Sequence, residues 1–242
     1  MITHLYCFPF AGGGVYSYRG LGESIGPVPV TTFEPPGRGR RFREPPLSDL
    51  DSMATDLYRQ VRPRLRRSYA FYGHSMGASL AYLLTRRVIA EGHPPPRYLF
   101  VSGRRGPAVT VTETRHLLPR VAFREMVMRL GGCPPEILSD PELYEVFEPG
   151  LRADFAAFAN HRFEATEPFD VPILVMTGRD DDVTEEEAMQ WQRETTKEIR
   201  LVRFPGGHFF IHQHWGEIRR LMSECLASVD APQESDQWAR SF

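Results

Sequence analysis

The hydrophobic positions of this chain follow two alternating rhythms. Short continuous apolar runs occur at residues 4–8, 30–34, 69–72, 98–103, 172–178 and 199–204, each closed by glycine, proline or a polar cluster. Runs of this length without polar alternation predict strands buried on both faces. Between them apolar residues recur at three- and four-residue steps. Residues 47–65 read as a helix with Asp49 or Asp51 as N-cap and Leu50, Met53, Ala54, Leu57, Val61 and Leu65 on its inner face. Residues 78–89, 185–198 (capped by Thr184) and 215–229 read as further helices. Strands and helices alternating at this spacing predict a mostly parallel sheet covered on both faces.

The rhythm breaks between residues 112 and 163. Helical stretches at 123–130, 141–147 and 149–160 follow one another with no strand between them, the first two separated by Gly131-Gly132-Cys133-Pro134-Pro135. A helical insertion in such a sheet predicts a lid over the strand ends. Its apolar residues, among them Met126, Met128, Leu130, Leu143, Phe147, Leu151, Phe155 and Phe158, are expected mainly to pack on one another, with some lining a pocket. The reading is one domain over residues 1–229, with the insertion at about 112–163 and a loose polar tail at 230–242.

Composition narrows the functional classes. The 242 residues are 41% hydrophobic, enough for a sizeable core, and 29 basic against 31 acidic side chains give a net charge of −2. No nucleic-acid partner is expected, although the loop from Gly37 to Arg43 is locally basic. That loop, with Pro35, Pro36 and two glycines, is expected not to be helical. Cys7, Cys133 and Cys225 are odd in number and not in metal-ligand spacing, so free thiols, no metal and a reducing compartment are expected. No segment approaches the roughly 18 apolar residues of a membrane helix, and a soluble cytoplasmic protein is expected.

The strongest chemical signal is Gly73-His74-Ser75-Met76-Gly77, a Gly-x-Ser-x-Gly between a predicted strand and a predicted helix. A serine on such a turn is exposed in a strained conformation, and the glycines let strand and helix pass closely. Asp180, Asp181 and Asp182 follow the strand at 172–178, and His208 follows Gly206-Gly207 after the last strand. Serine, acid and histidine in that order, each at a strand end, is the arrangement of the α/β-hydrolases, with Ser75 as nucleophile, His208 as base and an aspartate holding the imidazole. Asp181 is the expected acid from its distance to Gly178, while Asp180 fits the distance to Val183. His74 reads as structural, and the remaining histidines lack a strand-end setting. After the first strand, Ala11-Gly12-Gly13-Gly14 lacks the residues of a phosphate-binding loop. It reads as an oxyanion-hole loop, with the N–H groups of Ala11 and Met76 as donors.

Taken together, Cys7-Phe8-Pro9-Phe10-Ala11-Gly12-Gly13-Gly14, Pro36-Gly37-Arg38-Gly39-Arg40, Tyr72-Gly73-His74-Ser75-Met76-Gly77, Leu151-Arg152-Ala153-Asp154-Phe155 and Phe204-Pro205-Gly206-Gly207-His208-Phe209-Phe210 resemble the type II thioesterases. These are stand-alone α/β-hydrolases that accompany polyketide synthases and nonribosomal peptide synthetases. The resemblance covers nearly the whole chain up to the tail. It implies hydrolysis of stalled or wrong acyl groups from the phosphopantetheine arm of acyl- or peptidyl-carrier proteins, with no bound cofactor of the enzyme's own. One departure is that the loop carrying the acid is a residue shorter than the family pattern, so Asp180 and Asp181 both stay open. The Arg38–Arg43 loop offers itself as a carrier-docking surface or as plain solvated charge. The rival readings are an esterase of small free esters and a catalytically silent hydrolase fold used for binding.

Overall fold

The computed structural model describes residues 4–65, 68–110, 112 and 114–228; the tail expected at 230–242 lies outside them. Seven strands form one sheet: β1 (Leu5–Phe8), β2 (Ser24–Ile25), β3 (Val28–Thr32), β4 (Ala70–His74), β5 (Leu99–Ser102), β6 (Ile173–Gly178) and β7 (Arg200–Phe204), in the order β2-β3-β1-β4-β5-β6-β7. Every neighbouring pair is parallel except β2 with β3, a two-residue edge hairpin around Gly26 that the apolar pattern is too short to announce. The strands β1, β4, β5 and β6 are buried along their whole length, which is what their continuous apolar runs require.

Two hydrophobic layers explain that burial. On one face α1 (Leu50–Val61) and α2 (Met76–Ala90) pack Leu57, Val61, Leu80 and Leu84 against Phe71, Leu99 and Val175. On the other, α7 (Trp215–Ser228) packs Ile218, Leu221 and Met222 against Tyr72, Phe100 and Leu174. Asp49 is the cap of α1, its carboxylate accepting the Ser52 N–H at 2.7 Å. This is the α/β-hydrolase architecture: a mostly parallel sheet between helices. None of the described helices is long and apolar enough to cross a membrane.

Three expectations need correction. Residues 141–160 form one helix, α5 (Pro141–Asn160), that runs through Pro149 instead of restarting there. The proline costs one hydrogen bond, but Tyr144 on one side of it and Leu151 and Phe155 on the other pack into the same small core with α3 (Arg120–Leu130) and α4 (Pro135–Ser139), and the Arg152–Glu148 pair at 2.7 Å bridges the turn. The helix expected at 185–198 is only α6 (Glu185–Met189), started by a capping box between Thr184 and Glu187 and followed by a 3-10 segment, Gln190–Glu194. Trp191 turns fully inward there and donates to Arg104 O at 2.9 Å, while Glu194 accepts from the buried Tyr82 hydroxyl, so tertiary contacts stop the helix. The basic loop contains a single 3-10 turn, Gly39–Arg41.

The insertion is rooted in the body. α3, α4 and α5 form a satellite core around Phe123, Tyr144 and Phe155, whereas Ala157, also on α5, belongs to the main core, and Asn160 donates to Ser48 O at 2.9 Å.

Candidate active site

Because β1, β4, β5, β6 and β7 run parallel, the residues that follow their C-terminal ends meet at one edge of the sheet. Ser75 follows β4 and has φ 53° and ψ −116°, alone among the described non-glycine residues in having a positive φ. That strain is held by close packing at the two flanking glycines. A Cβ at Gly73 would fall 1.9 Å from Gly77 O, and one at Gly77 would fall 1.9 Å from Phe8 O. The buried Tyr18 hydroxyl fastens the strands beneath, donating to Phe8 O at 2.7 Å and accepting the His74 N–H at 2.9 Å.

His208 and Asp181 complete a hydrogen-bonded row. His208 Nε2 lies 3.0 Å from Ser75 Oγ, and its Nδ1 lies 3.0 and 3.1 Å from the two oxygens of Asp181. The Asp181 side chain is nearly buried, whereas Asp180 is exposed and offers the fold only its N–H, to Gly206 O. The open choice between the two aspartates is thus resolved in geometry: Asp181 is the one on the imidazole. Other histidines bond to partners outside this row. His4 pairs with Thr31, His93 with Tyr58 and His161 with Asp51. His74 is fully buried, its Nδ1 2.9 Å from Ser102 Oγ, and burial, reinforced by His208 and His212 nearby, pushes its pKa well below the ordinary imidazole value.

The glycine loop curls beside Ser75. The N–H of Gly13 donates to Phe10 O at 2.8 Å and that of Gly12 to Asp154 at 2.7 Å. Ala11, just ahead of these two, lines the same cavity as Ser75 and His208. Met76 is the first residue of α2, where an N–H has no acceptor within its own helix and the helix dipole favours negative charge.

The cavity above these groups measures about 130 Å³. Leu130, Phe147, Leu151, Phe155 and Phe158 of the insertion give it an apolar wall, Arg104 lies over the Phe158 ring, and Arg105 and Arg115 stand at the Asp182 side. Met128 and Leu143, expected among the packed residues, face outward instead. Cys133 also lines the cavity, and partial burial pushes its thiol up to about 11. Among the described residues no three His, Cys, Asp or Glu side chains converge as metal ligands.

Two arginines of the basic loop are held by acids. Arg38 turns inward to pair with the fully buried Asp154 of α5, and Arg41 is held by Asp56 and Glu44. Composition marked this segment as charge for solvent. The signal for its actual role was Asp154, an acid three residues after Leu151 on the apolar face of a helix, where a carboxylate needs a buried partner.

Residues 3–226 match a family described as the thioesterase domain. The chain belongs to the thioesterase domain family. The thioesterase is 32% identical over 231 residues to the gramicidin S biosynthesis protein GrsT of Aneurinibacillus migulanus, spanning 94% of this chain and 90% of that one. Its structure superposes on ClbQ from the colibactin NRPS/PKS pathway with a TM-score of 0.89 at 30% identity, covering 95% of this chain and 99% of ClbQ. It also superposes on BorB, a type II thioesterase from the borrelidin biosynthetic cluster, with a TM-score of 0.86 at 33% identity and 93% of each chain covered. It is a hydrolase of thioester bonds of the type II class.

Proposed function

We propose that the thioesterase clears stalled or wrong acyl groups from the phosphopantetheine arms of acyl- or peptidyl-carrier proteins, with Ser75 as nucleophile. The observation that carries the reading is the continuous row Ser75–His208–Asp181 under a small cavity walled by the insertion. His208 Nε2 removes the Ser75 proton as Oγ attacks the thioester carbonyl, and Asp181 holds the imidazole in the needed tautomer and stabilises the imidazolium. The N–H groups of Ala11 and Met76 bind the oxyanion; losing one such donor typically costs about 3 kcal/mol of transition-state stabilisation. Collapse breaks the C–S bond and the pantetheine thiol leaves with the proton from His208. Water, activated by the same imidazole, then hydrolyses the acyl-serine and regenerates Ser75. No step calls for a bound cofactor, since the pantetheine belongs to the carrier.

The insertion serves as the lid of this site. The enzyme works in the cytoplasm, a reading supported by three free thiols, two of them buried. The test is mass spectrometry of a panel of acylated carrier proteins before and after exposure to the enzyme. Loss of the acyl mass with wild type and its retention with Ser75→Ala is the expected result. Untouched carriers alongside rapid turnover of short p-nitrophenyl esters would replace the reading with a small-ester hydrolase. Inertness to both substrates and to a fluorophosphonate probe would leave a binding module.

A further inference from the structure

The chain neighbours of the catalytic groups converge on one ring. Phe209, the residue after His208, has its ring centroid 5.2 Å from the His208 imidazole, 5.0 Å from that of His74 and 4.9 Å from that of Phe10, and it stacks on His212 at 5.4 Å. His74 is the residue before Ser75, and Phe10 is the residue before Ala11. Aromatic pairs hold preferred mutual geometries, so this ring ties the segment of the base to the elbow and to the glycine loop.

The outer edge of the ring belongs to the insertion. A Cβ at Gly132 would fall 1.9 Å from Phe209 Cζ and would also run into Cε1 and Cε2. Gly132 is not among the residues with positive φ, whereas Gly131 has φ +82° and a Cβ there would meet nothing. Backbone conformation therefore does not call for glycine at 132; the close approach to Phe209 does. With Phe10, His74 and His212 packed around the rest of the ring, a side chain at 132 would push Phe209 together with the segments it holds. Gly132 and Phe209 both line the cavity that holds Ser75 and His208.

We infer that Phe209 is a positioning residue for thioester hydrolysis: its ring holds His208 against the elbow and the glycine loop, and the bare Cα of Gly132 bears on that ring, so the seat of the insertion helps to place the base. The inference rests on the reading of Ser75 as nucleophile and His208 as base.

The test crosses two substitutions, with the acetyl thioester of a carrier protein as substrate because so short an acyl group makes least use of the apolar wall. Gly132→Ala should lower kcat about 10- to 100-fold, the scale of a misplacement of about an ångström. KM should stay within about twofold of wild type, since the base acts in the transition state and not in binding. Phe209→Leu lacks Cε1, Cε2 and Cζ, the atoms that a methyl group at 132 would meet. Alone it should lose about 10-fold in kcat through its looser hold on His208, and adding Gly132→Ala to it should change kcat by less than about threefold. Wild-type kcat in either single variant, a loss confined to KM, or an equal loss from Gly132→Ala in both backgrounds would overturn the inference. Should Phe209→Leu fail to fold, the proton NMR signals of the His208 ring decide. They must move in Gly132→Ala, and unchanged signals would overturn the link from insertion to base. A fluorophosphonate that leaves wild-type Ser75 unlabelled would instead remove the underlying site reading, so the two failures are distinct.

Discussion

The body of the thioesterase and its helical insertion are held together by different physics. In the body, four central strands are sealed between two aliphatic and aromatic layers, and burial, which is non-directional, carries the fold. The insertion has only a small core and relies on arginines. Arg152 stacks 4.2 Å from the Phe123 ring centroid, pairs with Glu148 and donates to His116 O and Leu118 O, while Arg120 pairs with Glu148 at 3.0 Å. Its outer face leaves Leu117, Val121, Met128 and Val146 open to solvent. Side chains that need fixed distances, Ser75, His208 and Asp181, are mounted on the body. Those that wall the cavity are mounted on the insertion, with its smaller core.

The sharpest way to break this comparison is at the row itself. Ser75→Ala should leave a folded protein whose turnover drops by several powers of ten, because little cavity is made and the nucleophile is gone. Asp181→Asn should follow at about 10⁴-fold, whereas Asp180→Asn should stay within about threefold, since a neutral amide at 181 no longer holds the productive tautomer. Steady-state kinetics on an acyl-carrier thioester checks all three, and a larger loss at Asp180 would contradict the geometry.

Truncating one buried phenylalanine in each region comes next. Phe100→Ala in the body should cost about 3–5 kcal/mol, with Tm falling about 2–4 °C for each kcal/mol. Phe123→Ala, just as buried, should move the global transition by less than about 1 kcal/mol and instead speed hydrogen exchange in α3. In the wild-type enzyme α3 and α4 should already exchange faster than α2, and slow when Ser75 carries a long acyl-like inhibitor. Equal protection in both regions, unchanged by the inhibitor, would make the insertion a rigid layer.

The smallest effect is one of pH and belongs to the body. The unfolded chain protonates His74 near the ordinary value of about 6.5, but the buried native ring stays neutral well below it. The unfolded state therefore binds the extra proton, and stability, complete above that value, falls on acidification by up to about 1.4 kcal/mol per pH unit. His212, whose pKa is lowered chiefly by burial, acts in the same direction. Denaturant unfolding at pH 5 and pH 7.5 measures the slope, and His74→Gln should flatten it.

Much of the body was legible because its information is local. Continuous apolar runs give buried strands, and a glycine–serine–glycine turn between strand and helix gives the elbow. The edge hairpin at Ser24–Ile25 was not legible, since two residues carry no period. The uninterrupted α5 was hidden by Pro149, whose local penalty is overridden by packing on both sides of it. The least readable part was the Arg38–Asp154 contact, because an acid on the apolar face of a helix signals that a buried partner is needed but not which of many distant arginines supplies it. Asp181 stood between these cases, legible as one of two neighbours until the imidazole chose it.

The chain leaves the sheet after Ser102 and re-enters it at Ile173, on two strands that are direct neighbours. An excursion between adjacent strands is a natural cassette. It can lengthen or be exchanged wholesale with no change of topology, and each doubling of its length adds only about 0.6 kcal/mol of closure entropy. Recombination at those two points would replace the wall of Leu130, Phe147, Leu151, Phe155 and Phe158 as one piece. The graft carries one condition: an acid at the place of Asp154 must come with it, because Arg38 stays behind in the body and would otherwise be buried without its partner.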